Sequence, residues 1–240
     1  MPKSHSTTPG DQPQPVPVGL LLPHSRFPRA PRTGVPHWHG LSPSHLAYLI
    51  RRYTHVGDVV LDLDAHPVAI AATAYLRRVP AQLITSRHGS RLRILPHAFQ
   101  HGPRRAERQH DAGVDLILAS LPEEAQPLTY DSAAMAMTAW RPLLRPGGFL
   151  LVGFTTGPAR PGEFSHRTTV IAAARAVGLF YHQHIPAVLV PLPEHEPRTA
   201  PELPDEADKD RRLLDGRHLP AFRDLLVFGT TATGEESTRA

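Results

Sequence analysis

The stretch that decides the fold runs Gly57-Asp-Val-Val-Leu-Asp62-Leu-Asp-Ala-His-Pro67-Val-Ala-Ile-Ala-Ala-Thr-Ala-Tyr75-Leu-Arg-Arg78. Val59 to Asp62 is a short apolar, β-branched run, the pattern of a strand covered on both faces of a parallel sheet. An alanine-rich segment from Pro67 to Arg78 follows and reads as a helix. Proline suits its first turn, because the N–H it lacks would have had no partner there. Strand, loop and helix in this order form the first half of a βαβ unit.

Working outward, the alternation continues. Gln82–Thr85 and Leu92–Leu95 read as short strands, and Val114–Ala119 reads as a further strand. Tyr130–Leu144 reads as a helix stopped at Arg145-Pro-Gly-Gly148. Phe149–Phe154 is the next strand and Glu163–Val177 the next helix, ended by Gly178. Leu179–Val190 and Arg223–Gly229 are two strands joined by a proline-rich connection with no room for a crossover helix, which makes them antiparallel. The expectation is a three-layer, Rossmann-like α/β sandwich. Its seven-stranded sheet is mostly parallel and ends in an antiparallel C-terminal hairpin.

The 27 prolines mark what lies outside this sheet: ten fall in residues 1–43 and six in 191–220. Residues 1–36 read as a disordered proline-rich arm, 37–230 as the folded domain with a long acidic loop at 191–220, and 231–240 as a flexible tail. With no cysteine, disulfides and thiolate metal sites are excluded. Apolar runs are too short to span a bilayer, and no apolar stretch follows Lys3 as in a secretory leader, so the expected compartment is the cytoplasm with no membrane partner. The sequence pI is about 9.8 because Lys3 and Lys209 are the only lysines among 26 basic residues. Arginine forks suit phosphate, although arginine-rich composition also follows from GC-rich coding. Nucleic acid and a protein partner are both compatible with this charge. The candidate phosphate groups are Arg51-Arg52, Arg104-Arg105 with Arg108, and Arg211-Arg212 with Arg217.

Two segments carry a family resemblance. His39-Gly-Leu-Ser-Pro-Ser-His-Leu-Ala-Tyr-Leu-Ile-Arg-Arg-Tyr-Thr-His-Val-Gly-Asp-Val-Val-Leu-Asp62 resembles the opening of the DNA methyltransferases that modify exocyclic amino groups (adenine N6, cytosine N4). Asp115-Leu-Ile-Leu-Ala-Ser-Leu-Pro122 resembles their catalytic strand and loop, usually written Asp-Leu-Ile-x-x-Ser/Asp-Pro-Pro-Tyr. Leu144-Arg-Pro-Gly-Gly-Phe-Leu-Leu-Val and Arg223-Asp-Leu-Leu-Val-Phe228 resemble later strands of the class I S-adenosylmethionine-dependent methyltransferases. The likeness spans about residues 37–190 and 219–230. It implies S-adenosylmethionine as cofactor and methyl transfer to an exocyclic nitrogen, with Ser120 and the backbone at Leu121-Pro122 orienting the amine. It also implies that His39 and Ser42 border the cofactor, that Asp62 and Asp64 meet its amino-acid part, and that Ser86 stands where most such enzymes hold the ribose.

The sequence departs from the family at the same places. Where the family has Asp-Pro-Phe-x-Gly-Ser/Thr-Gly, this loop reads Asp62-Leu-Asp-Ala-His-Pro67, without glycine, so every position carries a side chain. Thr85-Ser86-Arg87 replaces the ribose-binding acid. Glu123 replaces the aromatic that stacks on a flipped base, and a carboxylate has no π face to offer. These departures support a second reading, a non-catalytic binding module that keeps the sheet for packing. Asp62 and Asp64 equally fit carboxylates that cap the helix at Pro67, and His39 fits packing beside Trp38. His37-x-His39 and His182-x-His184 put rings at alternate strand positions, but no further ligands complete a zinc site. Met135, Met137 and Trp140 are spaced for helix packing.

Overall fold

The structure, a computed structural model, describes residues 17–22, 38–86, 89–95, 113–121, 128–154, 164–188, 213–214, 217–218 and 222–231. In chain order the elements are α1 (Pro43–Tyr53), β1 (Val59–Asp62), α2 (Pro67–Tyr75), β2 (Val79–Ser86), β3 (Gly89–Ile94), β4 (Val114–Leu121) and α3 (Tyr130–Trp140). They continue with β5 (Leu144–Phe154), α4 (His166–Ala176), β6 (Phe180–Val188), β7 (Leu213–Leu214), β8 (Arg217–His218) and β9 (Phe222–Gly229).

Seven strands form one sheet in the order β3-β2-β1-β4-β5-β9-β6. β1 lies parallel to β2 on one side and to β4 on the other, with Val60 opposite Leu116 and Leu61 opposite Ile117. β5 continues the parallel core, and β9 runs antiparallel to both β5 and β6. β1 and β4 are adjacent in the parallel core, and the expected reversed C-terminal pair is present. The sandwich has three layers. Helices α1 and α2 cover one face through Leu46, Leu49, Ile50, Val68 and Ala69, and α3 and α4 cover the other through Ala133, Met137, Val170 and Ala173.

Several expectations are corrected. β2 does not cross over to β3 but turns back on it, pairing antiparallel from Ala81–Ile94 to Ser86–Gly89. Tight spacing between the two apolar runs leaves room only for a hairpin. Within the arm expected to be disordered, residues 17–22 lie along β6: Gly19 N donates to His184 O (2.8 Å), Leu21 N to Pro186 O (3.0 Å) and Val188 N to Leu21 O (2.8 Å). An open sheet edge supplies the partners that the segment's own composition does not. Within the expected loop 191–220, β7 and β8 form a small antiparallel ladder.

The helix expected over Tyr130–Leu144 gives way after Trp140 to a 3₁₀ turn, and β5 begins at Leu144 because the Arg145-Pro-Gly-Gly148 segment is absorbed as an irregularity in the β4–β5 register. Met137 and Trp140 are buried as expected, whereas Met135 is 72% exposed, since two residues along a helix is more than half a turn round. His182 and His184 do not share a face. A bulge between Tyr181 and Gln183 leaves His182 against Tyr53 and Phe149 on the α1 side, while His184 Nε2–H donates to Asp224 (2.7 Å). One extra residue in a strand resets the alternation.

Candidate functional site

The chain crosses from β1 to β2 in one direction and from β4 to β5 in the other, so the sheet's topological switch lies between β1 and β4. Open α/β sheets bind ligands in the crevice beyond the carboxyl ends of such strands. Here that crevice is bounded by the loop Asp62–Pro67 and the end of β4.

Three candidate residues meet there. Ser120 Oγ donates to Asp64 Oδ1 at 2.8 Å, and His39 Nε2–H donates to Asp64 Oδ2 at 2.8 Å. One carboxylate thus joins β4 to the segment preceding α1. The arrangement is serine to aspartate to histidine, with the carboxylate in the middle, so the imidazole has no contact with the serine hydroxyl and cannot act as its base. His39 is fixed from behind: its ring meets Trp38 edge-on at 4.8 Å, and Arg223 of β9 donates to His39 O (3.1 Å) and Phe154 O (2.7 Å). His39 packs beside Trp38, as one of the two sequence readings had it, whereas the contacts of Arg223 are what sequence reasoning missed. Arg223 belongs to the motif quoted for the last strand, but its contact 184 residues away has no local signature.

Asp62 closes the loop from within. Its Oδ2 accepts from His66 N (2.6 Å) and its Oδ1 from Asp64 N (3.2 Å). The other amides of the loop are also paired: Leu63 N donates to Leu118 O, Ala65 N to Asp62 O and Ala69 N to His66 O, and Val68 N donates to His66 Nδ1 (3.3 Å). Pro67 has no N–H. From Leu63 to Ala69 every backbone donor has an internal acceptor, so a ligand carboxylate or phosphate finds no unpaired amide without breaking a bond already made. His66, rather than either aspartate, supplies the N-cap of α2. Ala65 holds φ +51°, a left-handed conformation that glycine adopts without strain and alanine does not. Ala65→Gly is expected to raise stability by about 0.5–1 kcal/mol in urea unfolding; a loss would show that the alanine methyl packs usefully.

Of the remaining candidates, Ser42 stands at the start of α1. It is the N-cap of α1, accepting from His45 N (3.3 Å) and bonded to Ser44 Oγ (2.9 Å), and is not joined to the Asp64 cluster. Leu121 is 3% exposed and packs in the α3–α4 core. Ser86 ends β2 as the partner of Gly89 in the hairpin. Pro122, Arg87 and Glu123 lie outside the described residues, as do Arg104, Arg105, Arg108, Arg211 and Arg212.

Burial pushes the Asp62 carboxyl up to about 7, opposed by the bond from His66 N and reinforced by the charge of Asp64. A carboxyl whose folded pKa lies above its unfolded value is stabilising at low pH and loses that contribution as pH rises through the folded pKa. Between pH 5.5 and 8 the wild type is therefore expected to lose about 2 kcal/mol relative to Asp62→Asn, which does not titrate. Parallel stability–pH curves for the two proteins would disprove this assignment.

No protein-family model matches this sequence, and no curated protein does. Among solved structures, the chain is similar to a TehB-like SAM-dependent methyltransferase from Corynebacterium glutamicum, with 13% identity over 78% of this chain and 86% of that one and a TM-score of 0.40. A methyltransferase from Pyrococcus furiosus shares 10% identity over 79% and 83% of the two chains, TM-score 0.42. A Thermus thermophilus protein assigned as a DNA modification methylase shares 17% over 54% and 50%, TM-score 0.32. The reading of the site rests on its own geometry. Among the described residues, no helix is long and apolar enough to cross a membrane.

Proposed function

We propose that this chain is a methyltransferase-fold protein, related to the amino-directed nucleic-acid methylases, whose cofactor crevice has become an internal hydrogen-bond network and which acts by binding rather than by methyl transfer. The observation that carries this reading is the complete pairing of the loop amides from Leu63 to Ala69, together with the Ser120–Asp64–His39 chain. S-adenosylmethionine presents a carboxylate, an ammonium and two ribose hydroxyls. The amides that would receive the carboxylate are occupied, and Asp64, which would receive the ammonium, already takes two donors. β2 turns back at Ser86 with no acid in the motif for the ribose. The residues present do not fit the cofactor as the resemblance would hold it, and no methyl-transfer step is derived through it.

Isothermal titration with S-adenosylmethionine and S-adenosylhomocysteine tests this directly. The expected result is no saturable heat at ligand concentrations of about 1 mM, equivalent to less than about 4 kcal/mol of binding free energy. Saturation below about 100 μM would overturn the proposal. So would methyl transfer to DNA or RNA oligonucleotides that Ser120→Ala abolishes, because that result would return Ser120 to the catalytic role the resemblance implies.

A further inference from the structure

Away from the crevice, the α1–α2 side of the molecule gathers cations. α1 ends on Arg51 and Arg52, and Arg77 and Arg78 follow α2. Arg78 is 7% exposed and directs its guanidinium to neutral acceptors: Thr54 Oγ1 (3.1 Å), Thr54 O (2.8 Å) and Leu76 O (2.5 Å). It ties the two helix ends together without a carboxylate in contact. On the same side, the edge strand β3 presents Arg91 and Arg93. They stand opposite Ile84 and Gln82, whereas the alternate residues Leu92 and Ile94 pack into the core on the other face.

The arginines keep their charge available. Among the described residues, none of Arg51, Arg52, Arg77, Arg91 and Arg93 takes part in an ion pair. Two exposed aromatic rings lie on the same two helices: Tyr48 on α1 is 40% exposed and accepts from Arg52 (3.5 Å), and Tyr75 on α2 is 77% exposed. The negative ends of the helix dipoles account for cations at the ends of α1 and α2. They do not account for two arginines on a sheet face, nor for tyrosines left in water.

We propose that this face binds single-stranded nucleic acid, with phosphates on Arg51, Arg77, Arg91 and Arg93 and unpaired bases stacked on Tyr48 and Tyr75. Guanidinium forks match phosphate oxygens, and exposed rings between such forks can stack on any base that is not already stacked in a duplex. None of these residues belongs to the Asp62–Pro67 loop or to the hydrogen bonds that close it, so the proposal goes beyond the closed-crevice reading and a titration with S-adenosylmethionine does not bear on it.

The test is fluorescence anisotropy with labelled mixed-sequence 12-mers, one of DNA and one of RNA, across a salt series. Neutralising about four phosphates of a single strand predicts a slope of log K against log salt of about −3. Arg51→Gln/Arg91→Gln/Arg93→Gln is expected to weaken binding at least about thirtyfold and to flatten the slope by about 2. Tyr75→Ala is expected to weaken it about tenfold with the slope unchanged. Arg175→Gln, an exposed arginine on α4 across the sheet, should change nothing. Circular dichroism confirms that each variant is folded. Binding of either 12-mer with this pattern supports the proposal. No binding at about 50 μM protein in low salt, an equal loss in Arg175→Gln, or binding to phosphatidylserine vesicles but not to the oligonucleotides would overturn it.

Discussion

Trp38→Ala is expected to destabilise the protein by about 3–5 kcal/mol, the range for removing a fully buried tryptophan. The ring is 0% exposed and lies so close to β5 that a methyl group at Gly153 would come within 3.3 Å of it. Its removal empties space between the segment before α1 and the sheet. Trp38→Phe should behave differently. Among the described residues the buried indole N–H has no hydrogen-bond partner, so phenylalanine gives up packing volume while removing an unsatisfied donor, and the two effects partly cancel. The expected cost is about 1 kcal/mol, leaving a gap of at least about 2 kcal/mol between the two variants in chemical unfolding. Equal losses would mean that the indole N–H makes a bond that phenylalanine cannot.

The consequence reaches the crevice. Trp38 holds the ring of His39 edge-on, and His39 is one of the two donors to Asp64. Loss of the indole should therefore loosen the histidine end of the network while leaving Ser120 on Asp64. Loosening of this kind is local, since the second tether of the segment, from Arg223 to His39 O, does not depend on the indole.

How far the sequence could be read depended on whether the controlling contact was local. β1 and β4 were legible because Val59–Leu61 and Leu116–Ala119 are continuous apolar runs, the pattern of strands buried on both faces. The reversed last pair was legible because the connection between the two strands contains no helical pattern. The β2–β3 hairpin was readable only from the gap, which is too short for a parallel crossover, because its turn carries no strong hairpin dipeptide. The docking of residues 17–22 on β6 could not be read from the arm at all, because an edge strand provides the acceptors and the arm's own periodicity says nothing of them. His182 was misplaced for a similar reason, since a bulge is decided by the partner strand.

At the site, the absence of glycine was visible, but its meaning was not. A glycine-free loop could have been a narrowed pocket or a filled one. What decides the matter is the pairing of each amide, and that depends on the side chains of Asp62 and His66 folding back on their own loop. Ser120 was found through its motif. Its partner Asp64 was named for a different role, as a ligand to a cofactor rather than as an acceptor from Ser120 and His39. The arginine face was only partly visible: Arg51-Arg52 stood out as a charge run, whereas Arg91 and Arg93 join it only because β3 folds back on β2.

Gly113→Ala should produce the other large effect, and comparison with a second glycine separates its causes. Gly113 has φ +75°, and a Cβ built on it would lie 2.7 Å from Arg145 N and from Leu143 O, both backbone atoms that cannot rotate away. Gly178 has nearly the same backbone, φ +77°, but among the described residues nothing lies within 4 Å of the built Cβ. Gly178→Ala therefore reports the left-handed conformation alone, about 1–2 kcal/mol. Gly113→Ala adds a collision that must be relieved by moving the start of β5 away from β4, and is expected to cost at least about 4 kcal/mol. The displaced strands meet at the irregular register between Val114 and Leu116, and β4 carries Ser120 at its far end. Gly113→Ala should consequently weaken the Ser120–Asp64 bond as well as the fold, detectable as faster amide exchange at Asp64 and His66 than in Gly178→Ala. Similar destabilisation by both alanines would show that the close approach of 143–145 to Gly113 is readily relaxed and that β4 is not held at its base by this contact.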